Sequence, residues 1–167
     1  RSAMELRFYS IVLILILVAL ILVAWYLYRE AKSARREQHI RLHVFSNPLF
    51  IKLREKHSQL ELRDCQLVAR ALREFFLAHL KSGRRYVGMP SRVVDDLWHE
   101  FILDTREYAK FCEAAFGRYF HHQPATAMGV TNAEDTGLRT TWKYACIESN
   151  IDWRKPTRLP LLFAIDE

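Results

Sequence analysis

From Phe8 to Tyr28 the chain runs 21 residues without a charge, a glycine or a proline. As a helix rising about 1.5 Å per residue, such a run reaches about 31 Å, enough to cross a bilayer core of about 30 Å. A secretory signal has a shorter apolar centre, about 7–15 residues, closed by a small-residue cleavage site. This run instead meets Trp25, Tyr26 and Tyr28 and then Arg29, an aromatic and basic margin suited to a membrane interface. The expectation is an uncleaved single-pass anchor, which rules out a wholly soluble protein, a multi-span transporter and a large multidomain enzyme.

The rest of the chain divides around that run. Residues 1–7 are a short leading segment whose Arg1-Ser2-Ala3-Met4 reads as a cloning remnant, with Met4 as the natural start. Residues 29–45 read as a basic helical stalk and residues 46–167 as a compact helical domain. Arg29, Lys32, Arg35, Arg36 and Arg41 follow the run closely, against Arg1 and Arg7 before it. By the positive-inside bias the domain is cytoplasmic and the N-terminus lies outside; the expected location is the inner (cytoplasmic) membrane. The stalk cations also suit contact with anionic lipid head groups.

The cysteines agree with a reducing compartment. Cys65, Cys112 and Cys146 are odd in number, widely spaced and without a CxxC pair, and each falls on an apolar helix stripe. The formal net charge of +6 leaves +5 on residues 29–167, much of it in the stalk. With no recognition-helix, RRM or zinc-finger pattern present, no nucleic-acid partner is expected.

Periodicity makes the domain all-α. Ser46-Asn47-Pro48 caps a helix carrying Leu49, Phe50 and Leu53. A longer helix, roughly 59–81, aligns Cys65, Val68, Leu72, Phe76 and Leu80 and stops at Ser82-Gly83. Pro90-Ser91 opens a helix that buries Val94, Leu97, Trp98, Phe101 and Ile102. Asp104-Thr105 starts the next, with Tyr108, Phe111, Cys112 and Ala115 inside and Gly117 at its end. Asn132 and Asp135 form a capping pair for a helix to about Ser149, burying Leu138, Trp142, Ala145 and Cys146. The tail from Pro156 to Ile165 reads as extended, laying Leu161, Leu162 and Phe163 on the helices.

Chemistry-bearing side chains are densest between Asp95 and His122. Asp95 and His99 stand four residues apart on one helix face. His121-His122 follow the next helix, and a returning loop would bring one of them near that face. Two imidazoles and a carboxylate make a site for zinc or non-haem iron, with Cys112 or Asp96 as further donors. The alternatives are a plain helix-surface ion pair and an acid/base pair without metal. His39, His43, His57 and His79 read as surface or helix-end residues. The five glycines are isolated, so no phosphate loop exists, and no GxSxG elbow is present.

The block from Val94 to Thr105, containing Asp95, Trp98 and His99, continues to Tyr108, Phe111-Cys112, Phe116-Gly117 and His121-His122-Gln123-Pro124. With Thr141-Trp142, Ala145-Cys146 and the tail from Leu159 to Phe163, it resembles a bacterial family labelled glycine-rich domain-containing protein-like. The resemblance spans about residues 48–165. It implies a helical domain and focuses attention on residues 95–122, without supplying an activity. The chain is more distantly similar to plant glycine-rich domain proteins, whose helical region has an Asp-x-x-Trp-His-x-His pattern followed by Tyr and Cys. Asp95, Trp98, His99, Tyr108 and Cys112 match that pattern, whereas its second histidine is Phe101 here. Two functional expectations result. The first is a membrane-anchored helical module binding a protein partner, as an accessory subunit of a membrane complex. The second is a metal-binding protein or metalloenzyme using Asp95, His99 and His121 or His122.

Overall fold

A computed structural model of the chain describes residues 2–122 and 131–166; the side chains of residues 2–4, 6 and 131–135 lie outside the described set. All regular structure among the described residues is helical: α1 Ser2–Leu42, α2 Asn47–Lys56, α3 Leu62–Lys81, α4 Arg92–Leu103, α5 Thr105–Phe116, α6 Thr131–Glu148 and α7 Leu161–Ala164. The chain divides into two compact units, residues 1–36 and 37–167.

The first unit is part of α1. Every side chain from Phe8 to Tyr28 is exposed, and the stretch Arg7–Leu42 contains a run long and apolar enough to cross a membrane. At the C-terminal margin of the run, the Arg29 guanidinium lies 4.7 Å from the Trp25 ring centroid and the Lys32 ammonium 5.7 Å from that of Tyr28. Cations over aromatic faces are at home at a lipid–water boundary.

In the second unit α3 is the central element, packing against α2, α4, α6 and α7. Its core stripe includes Cys65, Val68, Leu72, Phe75 and Phe76, all buried, while Leu80 is half-buried. The helix begins at Leu62 rather than near residue 59. Glu61 and Asp64 form a reciprocal capping box there, each side chain accepting from the other's backbone N–H, and this fixes the first turn. Ser46 occupies the N-cap position of α2 without a side-chain capping hydrogen bond, Pro48 lies in the first turn, and Leu49, Phe50 and Leu53 are buried as the spacing requires. Gly83 (φ +77°) and Gly117 (φ +70°) end α3 and α5 in left-handed conformations that cost glycine little.

Three expectations are corrected. The tail is irregular as far as Pro160, with a bend at residues 157–158, and helical beyond it. The Phe163 and Ala164 N–H groups donate to the Pro160 carbonyl at 2.9 and 3.2 Å, and this turn of helix buries Leu162. His79 does stand at a helix end, in the last turn of α3, but it is buried rather than on the surface: its ring stacks on Phe120 with centroids 3.8 Å apart and planes at 9°. His43 sits among Phe45, Phe101 and Phe111, with ring centroids 4.6–5.3 Å away, so aromatic packing holds it rather than solvent. The Asn132 and Asp135 side chains lie outside the described set, while the helix they were read into ends at Glu148.

Arg41, counted with the stalk cations, donates to the carboxylates of Glu37 and Glu148. Lys81 joins this cluster with Glu148 at 2.9 Å and Glu37 at 3.2 Å. On another face Lys56 bridges α2 to Glu100 of α4 at 2.8 Å. The first cluster thus joins α3 to α6, and the second joins α2 to α4, the helix that carries the site.

Candidate metal centre

The site is built on α4. Ser91 caps this helix: its hydroxyl accepts from the Val94 N–H and donates to the Asp166 carboxylate at 2.8 Å. That carboxylate also accepts the N–H groups of Arg92 (2.7 Å) and Val93 (3.3 Å). A carboxylate at a helix N-terminus satisfies orphan donors and complements the dipole. Asp166 thus anchors the helix that presents Asp95 and His99. No local pattern marked it, because it acts across 75 residues of chain.

The loop after α5 delivers the third group. Gly117 turns the chain back, and Phe120 enters the core, stacking on His79 and on Trp98 (5.1 Å, 29°). The Trp98 indole N–H donates to the Tyr108 hydroxyl at 3.1 Å, and that hydroxyl donates to the Phe120 carbonyl at 2.5 Å. Both partners are buried, and burial pushes the Tyr108 phenol well above its ordinary range, so it stays a donor. Two residues beyond Phe120, the His122 ring lies 4.6 Å from the Trp98 ring and 4.3 Å from the His99 ring.

Asp95, His99 and His122 each offer a donor atom, and these three atoms lie within 4.8 Å of one another. His122 Nε2 donates to Asp95 Oδ1 at 2.9 Å. His99 Nδ1 is 2.9 Å from the Asp95 backbone carbonyl. A carbonyl only accepts, so in the neutral ring Nδ1 carries the hydrogen and Nε2 the lone pair. A ring N–H held by a backbone carbonyl is the usual support of a metal-bound histidine. Zinc at about 2.0–2.1 Å from each donor needs them about 3.5 Å apart, so closure asks for shifts on the order of 1 Å. The side chains of Asp95, His99 and His122 are 31%, 45% and 18% exposed, leaving one side of the cluster open.

The other sequence candidates lie outside the three-donor cluster. His121 is exposed and packs on Tyr119 with centroids 4.8 Å apart. Cys112, on the buried face of α5, is fully buried, burial pushes its thiol up, and it is not in the donor cluster. Asp96 accepts from His57 Nε2 at 2.8 Å on the face turned toward α2. The cluster opens into a cleft of about 980 Å³, rimmed by Arg84, Arg85, Arg92 and Arg118. Sequence reasoning missed these arginines. Arg84-Arg85 was the only local signal, and the fold collects the other two.

Together these features define an all-helical domain with a two-histidine, one-carboxylate cluster at the edge of an arginine-rimmed cleft. The chain belongs to the UCP032817-like family, which it matches over residues 35–167. The family name carries no activity. No curated protein and no solved structure matches the chain.

Proposed function

We propose that this chain is a metal-binding protein anchored in an inner membrane, whose cytoplasmic helical domain holds a zinc or iron ion at Asp95, His99 and His122. The observation that carries the reading is the convergence of three donor atoms, from α4 and a separate loop, within 4.8 Å. Two imidazoles and one carboxylate suit zinc and ferrous iron alike, and three protein donors leave coordination positions for water or a substrate. The apolar run of α1 supports the anchor, and the basic residues after it support the cytoplasmic side. An accessory role in a membrane complex fits the same anchor. The donor cluster is the specific feature, and it favours metal binding.

The test is elemental analysis of the full-length chain, extracted in detergent from cells supplied with zinc and iron. Close to one ion per chain is expected, lost in a His99→Ala/His122→Ala variant whose circular dichroism is unchanged and retained in His121→Ala. A folded wild-type chain without metal, or a double variant that keeps it, overturns the reading.

A further inference from the structure

Among the described residues, the wall of the cleft beside the cluster carries more cationic than anionic side chains. Four arginines, Arg84, Arg85, Arg92 and Arg118, line it, and Asp95 is the one carboxylate in its described wall. Asp95 is itself a proposed metal donor, so its charge is matched once a cation binds. Among the described residues, Arg85, Arg92 and Arg118 form no ion pair; Arg118 donates to the Arg84 carbonyl at 3.2 Å. Elsewhere on this domain some cations are paired, as Lys56 is with Glu100 and Arg41 with Glu37, but none of the described ones without an ion pair is gathered with others around a cleft of this size. A concave site lined by one sign of charge focuses its field and raises the local concentration of the opposite ion.

The size and walls narrow the class of that ion. About 980 Å³ is at the upper end of small-molecule sites and far exceeds an inorganic anion. Tyr86, Trp98 and Tyr119 supply aromatic wall for an organic body. Guanidinium forks match carboxylate and phosphoryl oxygens. Several unpaired guanidiniums beside a divalent cation call for more than one negative charge, which a phosphate monoester carries at about −1.5 to −2 near neutral pH.

We propose that this cleft binds a phosphate monoester of a small organic molecule. Arg85, Arg92 and Arg118 hold the phosphoryl oxygens, and the organic body lies against Tyr86 and Tyr119. The inference rests on the metal reading only for the ion beside the phosphoryl group.

The test is isothermal titration of the zinc-treated full-length chain in detergent with phenyl phosphate, and with benzoate for comparison, after its zinc content is measured. Phenyl phosphate should bind more tightly than benzoate. Arg85→Ala/Arg92→Ala should weaken it about tenfold or more, and Arg85→Lys/Arg92→Lys by less, with zinc content unchanged in both. A zinc-loaded chain that takes up no phenyl phosphate, or an alanine variant that binds it like wild type, overturns the phosphate site and leaves the metal centre standing. Benzoate bound as tightly as phenyl phosphate overturns the phosphoryl assignment. A chain without zinc that still binds phenyl phosphate through these arginines keeps the phosphate site and removes the metal.

Discussion

His79 and His43 illustrate how burial changes what a residue does. Desolvation lowers both from the ordinary histidine value to about 4, with the nearby His39 and Arg73 adding to the effect at His43. His79 Nδ1 donates to the Arg85 carbonyl at 2.9 Å, so the neutral ring is both stacked and hydrogen-bonded. As pH falls below about 6.5 the unfolded chain takes up these protons, while the folded chain resists until about 4. The unfolded state then binds more protons, so stability is full above that window and is lost on acidification through it. Each histidine contributes a slope of up to about 1.4 kcal/mol per pH unit. Glu100, held below the usual carboxylate range by the Lys56 ammonium, titrates beneath most of this window. Urea midpoints between pH 6.5 and 4.5 should fall steadily, and His79→Phe should flatten the slope while keeping the ring stack. An unchanged slope would remove His79 from the account.

At the scale of elements, the site depends on two supports that meet at α4. Its N-terminus is held by the Asp166 carboxylate, and the loop bearing His122 is pinned through Tyr108 and Phe120. α6 adds a third constraint. The Thr141 hydroxyl donates to the Gly88 carbonyl at 2.7 Å, and a Cβ on Gly88 would meet the Leu138 backbone nitrogen at 2.9 Å, so this wall of the cleft admits only glycine without movement. Asp166→Ala should cost about 1–2 kcal/mol, the scale of a lost helix cap, with the α4 amides exchanging faster in hydrogen-exchange measurements. It should also weaken zinc binding, because Asp95 lies in the first turn of that helix. Protection of α4 equal to wild type would contradict the capping role. The helix starts at Ser46 and Ser91 and the stop at Gly117 were legible because caps and left-handed turns are local chemistry. Asp166 was not, since its partners lie on another part of the chain.

For the whole molecule the decisive question is whether residues 8–28 stay attached. An anchor predicts that the chain remains in the membrane pellet after alkaline carbonate washing and that its mature N-terminus precedes Phe8. Release by carbonate, or a mature chain beginning beyond the apolar run, would identify a cleaved signal sequence instead.

The sequence alone determined every helix but α7, and most of the core. Apolar residues at helical spacing, such as Leu97, Trp98 and Phe101, can bury together on only one face, and proline, serine and glycine punctuate the turns. It also placed Asp95 and His99 on one face, because four residues make about one turn. The tertiary structure decided which imidazole joins them. The turn at Gly117 and the seating of Phe120 between α3 and α4 bring His122 to Asp95 and send His121 to Tyr119. It also gathered Arg84, Arg85, Arg92 and Arg118 around one cleft. Such convergence depends on how elements pack, and packing joins residues whose separation along the chain carries no periodic signal.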